Sequence, residues 1–349
     1  MFEYTGVIHI HSIFSDGSGE VQDIAAYGKE CGLDYLILTD HNTLRALHEG
    51  YEKWYDNTLL LVGCEINDKQ NQNHLLAMGI EETISTRIPA IEYTKKVKEL
   101  GGISFIAHPF EKRNSMAQHP PYPWIEWNSK DFDGIEIWNH MSEWMEGLTE
   151  HNKYNYIIHP LRSIIGPTEE TLSMWDKLNI ERKVVGIGGV DAHAHKVNLL
   201  GFFEMEVFPY KVLFKSIRTH IIVNERLNRS QEDGDILHSK KLIYTALKNG
   251  NCFISNYYHG DAKGFRFFAE DGEHIHQMGE TLPFAEKIKL RVILPNISAT
   301  INFVCNGECL RSIDGSDAEF DADKPGIYRV EVYLNQNAWI FTNHIRIGV

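Results

Sequence analysis

The feature that most constrains the fold is a regular alternation of short apolar runs with longer segments of helical periodicity, which continues to about residue 205. Seven apolar runs are typical of strands: GVIHIH, YLILTDH, LLLVGCEI, HLLAMGI, ISFIAHP, GIEIWNH and VVGIGGVDAH. Between them, segments such as VQDIAAYGKECGL and IPAIEYTKKVKELGG place apolar residues at helical spacing. Because repeated strand–helix units favour parallel strands with right-handed crossovers, we expect an α/β fold, either a barrel or a doubly wound sheet.

The pattern changes after about residue 262. Alternating runs such as KIKLRVILP and GIYRVEVYL follow one another there, separated by turn pairs that include Asp271-Gly272 and Asn306-Gly307. This spacing is typical of an all-β structure. The sequence therefore predicts an α/β domain over residues 1–261 and a small, sandwich-like all-β module over residues 262–349.

Composition excludes some classes of partner. The formal net charge of -14 argues against nucleic acid beyond nucleotides or short oligonucleotides, because nucleic-acid-binding proteins concentrate basic charge. Since the sequence has neither an apolar run of about 20 residues nor a signal-peptide pattern, we expect no membrane partner. Five scattered cysteines are typical of reduced thiols and favour a cytoplasmic location. The sequence is also compatible with a homo-oligomer.

Polar side chains follow six of the seven predicted strands, at the point where each strand ends. They are His9 and His11, Asp40 and His41, Glu65, His108, the group Glu136, Asn139 and His140, and finally Asp191 and His193. The carboxyl ends of parallel strands meet at one edge of a sheet, so we expect these side chains to converge. Alternation along the first strand would place His9 and His11 on the same face.

The residue types at these strand ends are those that commonly bind metal ions in proteins. Imidazole nitrogens combined with carboxylate oxygens, and without cysteine, suit Mn, Zn or Fe, and the set is large enough for two or three divalent ions. Glu65 can bridge two ions about 3.5–4 Å apart. A single His-x-His is weak evidence, because the same tripeptide recurs at residues 274–276, where we expect an exposed strand. The coincidence of six strand ends is what favours a metal site over isolated histidines.

The order and separation of these motifs resemble those of a known family. HIHSIFSDG, LTDHNT, IAHP and GGVDAH are similar to the motifs of the polymerase-and-histidinol-phosphatase (PHP) metallohydrolases. Within that family GIEIWN, WDKLNIERKVVGIGGVDAHAH and the trailing β module are most similar to the branch that contains carbaryl-hydrolase-like enzymes. The resemblance implies a distorted seven-stranded (βα) barrel, which agrees with the seven strands predicted above.

The resemblance also implies how the ligands are shared. One ion would be held by His9, His11, Glu65 and Asp191, and a second by Asp16, His41 and His193. Glu65 would bridge to a further ion that His108 completes. An additional ligand is expected after the sixth strand, where His140 and Asn139 are both candidates.

Four further residues are assigned around this set. His74 is expected to act as a ligand or to contact substrate, and we group it with Glu65 and Asp191 as catalytic. Asp40 is expected to orient His41 or a neighbouring group. Arg113 is a candidate phosphate clamp, because guanidinium matches phosphate oxygens in bidentate fashion. His195 is expected to lie outside the ligand cluster.

The chemistry that fits is hydrolysis by a metal-bridging hydroxide, which a pair of cations makes available at neutral pH. The leading hypothesis is a metal-dependent phosphoesterase acting on a small anionic phosphate ester, with a nucleotide as one candidate. The first alternative is an amide or carbamate-ester hydrolase that uses the same site. A third hypothesis, of another class, is a non-catalytic protein in which the β module binds a partner and the barrel is a scaffold.

Overall fold

The computed structural model of the chain describes residues 1–115, 120–199, 203–285 and 287–349. In the first part of the chain the strands are β1 (Phe2–Ile10), β2 (Tyr35–Leu38), β3 (Lys53–Tyr55), β4 (Thr58–Ile66), β5 (Leu75–Met78), β6 (Ile103–Ile106), β7 (Gly134–Asn139), β8 (Val185–Gly189), β9 (Lys196–Leu199), β10 (Phe203–Glu206), β11 (Ile217–Val223) and β12 (Cys252–Asn256). The helices are α1 (Val21–Glu30), α2 (Arg45–His48), α3 (Ala90–Glu99), α4 (His140–Gly147), α5 (Lys153–Ile158), α6 (Glu169–Glu181), α7 (Tyr210–Leu213) and α8 (Asp233–Asn249), with a 3-10 turn at Pro160–Ser163. Among the described residues, none of these helices combines the length and apolar content that crossing a bilayer requires.

The seven apolar runs of the sequence all form strands, namely β1, β2 and β4–β8. They are neighbours in that order within a sixteen-stranded sheet. After β8 the chain returns to β1, because Val190 N donates to Ile8 O at 3.1 Å and His11 N donates to Ala192 O at 3.0 Å. The fold is thus α/β and built on a large sheet, and its last strand in this series lies beside its first.

The expectation that these strands are all parallel is wrong for β5. This strand pairs antiparallel with both β4 and β6. Only residues 67–74 separate β4 from β5, which is too short for a parallel crossover of a dozen or more residues. As a consequence the start of β5, which His74 precedes, lies at the same edge as the carboxyl ends of its parallel neighbours.

Strands account for the regular structure described after residue 262: β13 (Arg266–Glu270), β14 (Ile275–Gln277), β15 (Thr281–Leu282), β16 (Ile288–Ile293), β17 (Ala299–Cys305), β18 (Glu308–Gly315), β19 (Asp317–Ala322), β20 (Gly326–Leu334), β21 (Asn337–Thr342) and β22 (Ile345–Ile347). One small sheet has the order β14-β13-β16-β19. The remaining strands join the large sheet, because β21 pairs with β12, for example Ile254 with Phe341. The backbone pairing therefore continues across the predicted boundary at residue 261.

A buried ionic contact reinforces this junction. Arg329 of β20 donates from Nε and Nη2 to the two carboxylate oxygens of Asp176 in α6, at 2.8 and 2.9 Å. His344 Nε2 lies 2.7 Å from Asp176 Oδ1. Paired in this way, the charges of helix and strand can be buried without an isolated ion.

Candidate metal centre

Glu65, near the end of β4, is the centre of the site. Its side chain is buried, and five imidazoles surround the carboxylate. Oε2 lies 3.2 Å from His9 Nε2, 3.2 Å from His11 Nε2 and 3.3 Å from His41 Nδ1. Oε1 lies 2.6 Å from His74 Nδ1 and 3.3 Å from His108 Nε2. Residues from five separate strand ends therefore meet at one carboxylate.

Two further carboxylates complete the cluster. Asp191 Oδ1 lies 3.4 Å from His9 Nε2 and 3.3 Å from His11 Nε2. Asp16 Oδ1 lies 3.2 Å from His193 Nε2, and Asp16 Oδ2 lies 3.7 Å from His41 Nε2. Asp16 is half exposed, so this side of the cluster is open to solvent.

The ligand atoms fall into four groups in which they all lie within 4.8 Å of one another. The groups are His11, Asp16, His41 and His193; His9, Glu65 and His108; His9, His11 and Asp191; and His41, Glu65 and His74. Several of the buried ring nitrogens, including His74 Nε2 and His108 Nδ1, have no hydrogen-bond partner among the described residues. A dense set of nitrogen and oxygen donors with such free atoms fits divalent ions of the Mn, Zn or Fe type.

The backbone that carries these ligands is strained at three of them. His9, His108 and Asp191 have φ angles of 68°, 26° and 54°, in the left-handed region that side chains rarely adopt. At His9 the pairing of β1 with β2 shifts register between Ile8 and Ile10. Simple alternation therefore does not describe this strand end. The bulge instead re-aims His9, so that both imidazoles reach Glu65.

Glu136 of β7 positions two of the ligands, a role that the sequence did not reveal. Its carboxylate lies 3.0 Å from His9 Nδ1 and accepts hydrogen bonds from the backbone N of His108 at 2.9 Å and from Asn139 Nδ2 at 2.8 Å. A carboxylate on Nδ1 fixes the tautomer, so that Nε2 is free to bind a metal. Gly189 makes room for this contact, since a Cβ there would collide with the Glu136 carboxylate. In the sequence, the position of Glu136 near the end of a predicted strand was the only sign of this role.

Asp40 acts on the loop that carries Asp16. It accepts hydrogen bonds from Ser12 N and Ser12 Oγ, both at 2.7 Å, and from Ser15 Oγ at 2.6 Å. Of the two roles expected for Asp40, orienting a neighbouring group is therefore the one that these contacts support. The hydroxyl of Tyr210 also donates to His11 O at 2.7 Å, which holds the start of the same loop.

The structure does not bring His140 into the cluster. It is the first residue of α4, fully buried, and its ring meets that of Phe208 edge-on at 6.3 Å. His140 belongs to none of the four groups formed by the described residues, and burial lowers its pKa to about 3. Asn139 instead caps α4 by accepting from Ser142 N at 2.8 Å. Our prediction of His140 as a ligand needs this correction, because the helix start turns its ring away.

Burial and neighbouring charges shift the proton affinities within the cluster. Burial by itself would raise the pKa of Glu65, but the charges of His9 and His41 outweigh it and hold the pKa well below its usual range. Burial lowers the pKa of His41 to about 4. For His108 the effect of burial is outweighed by Glu111 and Glu65, which raise its pKa to about 9. A metal ion must displace a proton from His108, so binding there strengthens as pH rises, whereas the lowered pKa of His41 leaves its ring neutral near pH 7.

A cavity of about 800 Å³ opens beside the cluster, and its wall includes Asp16, His41, His74, Asp191 and His193. Arg113 also lines it. The guanidinium donates from Nη2 to Glu111 Oε1 at 2.7 Å and lies over the Tyr122 ring at 5.1 Å. Tyr122 in turn stacks on His74 with ring centroids 5.3 Å apart.

His195 lines the same cavity. Its ring stacks on that of His193 at 5.0 Å, but it is in none of the four groups of ligand atoms found among the described residues. His195 thus lies next to the cluster, and its expected place outside the ligand set stays a prediction.

Known proteins are similar to parts of this chain. Residues 8–116 match the family model of the PHP domain. An uncharacterized protein of Methanocaldococcus jannaschii is 24% identical over 162 residues, which cover 46% of this chain and 88% of that protein.

Three solved structures are also similar. A two-domain protein from Bacteroides vulgatus containing a predicted PHP-like metal-dependent phosphoesterase is 14% identical, with a TM-score of 0.46 and coverage of 98% of this chain and 95% of its own. A putative metal-dependent phosphoesterase from Bifidobacterium adolescentis is 16% identical, with a TM-score of 0.33 and coverage of 58% and 92%. An amidohydrolase from Chromobacterium violaceum with bound sulfate is 14% identical, with a TM-score of 0.34 and coverage of 54% and 87%.

The matched segment spans β1 to β6 and includes most of the cluster, from His9 to His108. The motifs at these strand ends are the ones by which the sequence resembles the PHP metallohydrolases. The assignment to the carbaryl-hydrolase-like branch stays a prediction. Over residues 8–116 the chain matches the PHP domain family.

Proposed function

We propose that the protein is a metal-dependent phosphoesterase that hydrolyses a small phosphate ester. One observation carries this proposal: three carboxylates and six imidazoles from the ends of six strands, and from the loops next to them, converge beside a single cavity. They are Asp16, Glu65 and Asp191, with His9, His11, His41, His74, His108 and His193. We further propose that β1, β2 and β4–β8 form a distorted seven-stranded barrel, supported by the hydrogen bonds between residues 190–192 and β1.

The donor set supports two or three divalent ions. We assign His9, His11 and Asp191 to one ion, and Asp16, His41 and His193 to another. Glu65 lies between these groups and reaches His108 and His74, which suits a bridging ligand. When bound, such ions lower the pKa of a coordinated water towards 7 and supply Lewis acidity.

The chain's own residues then bind and orient the substrate. Glu136 holds the Nδ1 proton of His9, and Asp40 holds the loop that presents Asp16. His74 is engaged through Nδ1 by Glu65, so we assign Nε2 to contact an ion or the substrate. We propose Arg113 as the group that contacts phosphoryl oxygens, because Glu111 and Tyr122 hold its guanidinium at the cavity wall.

Local positive charge is necessary because the chain as a whole is acidic. A net charge of -14 does not attract an anionic substrate over long distances. We therefore propose that bound ions and Arg113 supply positive charge within the cavity. This requirement connects the metal cluster with a phosphate ester in particular. An anionic ester gains more from these charges than a neutral amide does.

The proposal is tested by loading the protein with Mn, Zn or Fe and assaying phosphate monoesters, nucleotides, amides and aryl carbamates in parallel. We expect metal-dependent release of phosphate, and an increase in KM in the Arg113→Gln variant. Turnover of carbamates or amides alone would replace the proposal with the amide or carbamate-ester hydrolase. Tightly bound metal without turnover of any substrate class would favour the non-catalytic alternative.

A further inference from the structure

We propose that the cavity beside the metal cluster contains a separate subsite for an apolar, ring-sized ester group of the substrate. The inference rests on the proposed function, in that the same cavity is taken to hold the hydrolysed group. The inference goes beyond that function because it states the chemistry of the alcohol that hydrolysis would release.

The subsite is formed by one face of α4. Met141, Trp144, Met145 and Leu148 follow the spacing i, i+3, i+4 and i+7 and all line the cavity. This spacing places them on a single stripe of the helix. In an ordinary surface helix such a stripe would face only the core. Here part of it faces the cavity that also exposes the metal ligands.

Two other segments extend this apolar wall. Ile157 of α5 lines the cavity, and so do Val207 and Phe208. The Phe208 ring packs edge-on against Trp144 with centroids 4.5 Å apart, which fixes both rings. The wall therefore has a rigid aromatic part and a flexible part made of thioether and alkyl groups, which can adapt to a ligand.

This wall offers few hydrogen bonds to a ligand. Trp144 has a single donor, and its Nε1 already donates to Tyr156 O at 3.2 Å. A sugar or a nucleobase placed against these apolar side chains would lose hydrogen bonds to water, and that loss is unfavourable. Thr149, Glu150 and Lys153 also line the cavity, but Lys153 Nζ already donates to Glu150 Oε2 at 2.8 Å. An aryl or compact alkyl group has no such requirement. The chemistry of the wall thus favours an aryl or alkyl ester over a nucleotide.

The size of the cavity is consistent with a second group. At about 800 Å³ it lies in the range of about 300–1,000 Å³ typical of ligand pockets, and it exceeds what a phosphate group alone needs. The substrate class that fits is an aryl or alkyl phosphate ester. Its phosphate would face the cluster and Arg113, and its apolar group would face α4.

The experiment that tests the subsite does not depend on hydrolysis. Protein with 13C-labelled methionine methyl groups is titrated with 4-methylphenol, and with methanol as the control ligand. The signals of Met141 and Met145 are assigned with Met141→Leu and Met145→Leu variants. We expect 4-methylphenol, but not methanol, to shift these two signals, both with and without added Mn. The absence of a shift would overturn the subsite.

A matched pair of variants on α5 connects binding with turnover. Ile157 lines the cavity, whereas its neighbour Ile158 is exposed and is not part of the wall. For the Mn-loaded protein we expect kcat/KM for benzyl phosphate to exceed that for methyl phosphate about tenfold or more, because the two leaving alcohols are similarly acidic and differ mainly in apolar size. Ile157→Ser should reduce this ratio about threefold to tenfold, and Ile158→Ser should leave it unchanged.

The two proposals fail in different ways. If both esters are hydrolysed, Ile157→Ser and Ile158→Ser give the same ratio and the methionine signals do not shift, the subsite is wrong and the phosphoesterase stands. If the methionine signals shift but no phosphate ester is hydrolysed, the phosphoesterase is wrong and the apolar subsite stands. The methionine titration decides on the subsite in either case.

Discussion

The tripeptide His-Ile-His occurs twice in this chain, and its two copies have opposite environments. His9 and His11 are fully buried and lie 3.2 Å from one carboxylate oxygen of Glu65. In the second copy Ile275 is 58% exposed, and His276 pairs with Asp271 at 2.9 Å on the surface. The same three residues therefore form part of a buried ligand cluster in one place and an exposed strand in the other.

The position in the fold accounts for this difference. The first copy ends β1, next to the ends of β2, β4 and β8, whereas the second belongs to β14 at the edge of a four-stranded sheet. The backbone also differs, because His9 is in the left-handed region and sits at a register shift. Several strand ends meet at the first copy, and this convergence is what makes it a candidate metal site.

A second comparison concerns two buried clusters of histidine and carboxylate. In the Asp176 cluster, the carboxylate is balanced by the Arg329 guanidinium and by His344 within the protein. In the Glu65 cluster no lysine or arginine of the described residues forms an ion pair with Glu65, Asp191 or Asp16. In the Asp176 cluster the carboxylate charge is balanced by a guanidinium of the protein. The Glu65 cluster has no such partner and is suited to bind metal cations.

The largest expected effect comes from removing each histidine pair in turn. The His9→Ala, His11→Ala double variant should lose at least one bound ion per chain, because both side chains contribute to the same group of ligand atoms. Its kcat/KM should fall at least about a thousandfold, since a metal contributes several kcal/mol to transition-state stabilisation. Metal content by mass spectrometry and steady-state kinetics measure both effects.

The matched control is the His274→Ala, His276→Ala double variant, which alters the exposed copy of the same tripeptide. Metal content and kcat/KM should be those of the wild type. Equal losses in the two double variants, or unchanged metal content in the first, would contradict the distinction between the two copies.

The next largest effect is on the free energy of unfolding, and it concerns the Asp176 cluster. Burial by itself would raise the pKa of Asp176, but hydrogen bonds from Arg329 and His344 outweigh it and hold the pKa well below the usual range. A carboxyl group whose pKa is depressed by folding stabilises the protein above its unfolded pKa of about 3.9, and this contribution is lost as pH falls through the folded pKa.

Asp176→Asn should therefore lower the free energy of unfolding by about 3 kcal/mol at pH 7, because it leaves Arg329 buried without its main partner. The difference from the wild type should shrink below about pH 4. Urea unfolding at several pH values measures it. Metal content should not change, and a loss of bound metal in this variant would show that the two clusters are coupled.

A smaller effect is expected at Glu136, which positions His9 without belonging to any of the groups of ligand atoms. Glu136→Gln should weaken metal affinity about 10- to 100-fold, the usual consequence of removing a carboxylate behind a ligand histidine. Competition with a chelator measures the affinity. A merely structural role would lower the free energy of unfolding and leave the affinity intact, so unfolding of the metal-free protein is the control measurement.

Much of this candidate site could be predicted from the sequence, because the residues that meet there lie at or next to the ends of strands. All seven strands were found from apolar runs, and polar residues at the ends of β1, β2, β4, β6 and β8 converge as parallel strand ends should. The direction of β5 was missed, since an apolar run does not reveal which way a strand pairs. The bulge at His9 was missed for a related reason, because a register shift depends on the neighbouring strand and not on the tripeptide itself.

Contacts between distant positions were harder to predict. Glu136 and His9 are 127 residues apart, and no local pattern indicates that the carboxylate of one holds the ring of the other. At His140 the sequence instead predicted a ligand that the structure places outside the cluster. It was singled out because it follows β7, but the chain starts α4 at this residue, and the helix directs its ring towards Phe208. The strand-end residues that reach the cluster are followed by loops, whereas His140 begins a helix.

The smallest effect is therefore expected at His140, and it sharpens the comparison between ligand and non-ligand histidines. Both ring nitrogens of His140 lack a hydrogen-bond partner among the described residues, so replacing the ring with an apolar side chain removes no identified contact. His140→Leu should change the free energy of unfolding by less than about 1.5 kcal/mol, as a substitution that roughly conserves core volume does. The number of bound ions should equal that of the wild type, while His108→Leu should lower it. Loss of an ion in His140→Leu, measured by mass spectrometry on folded protein, would return His140 to the metal centre.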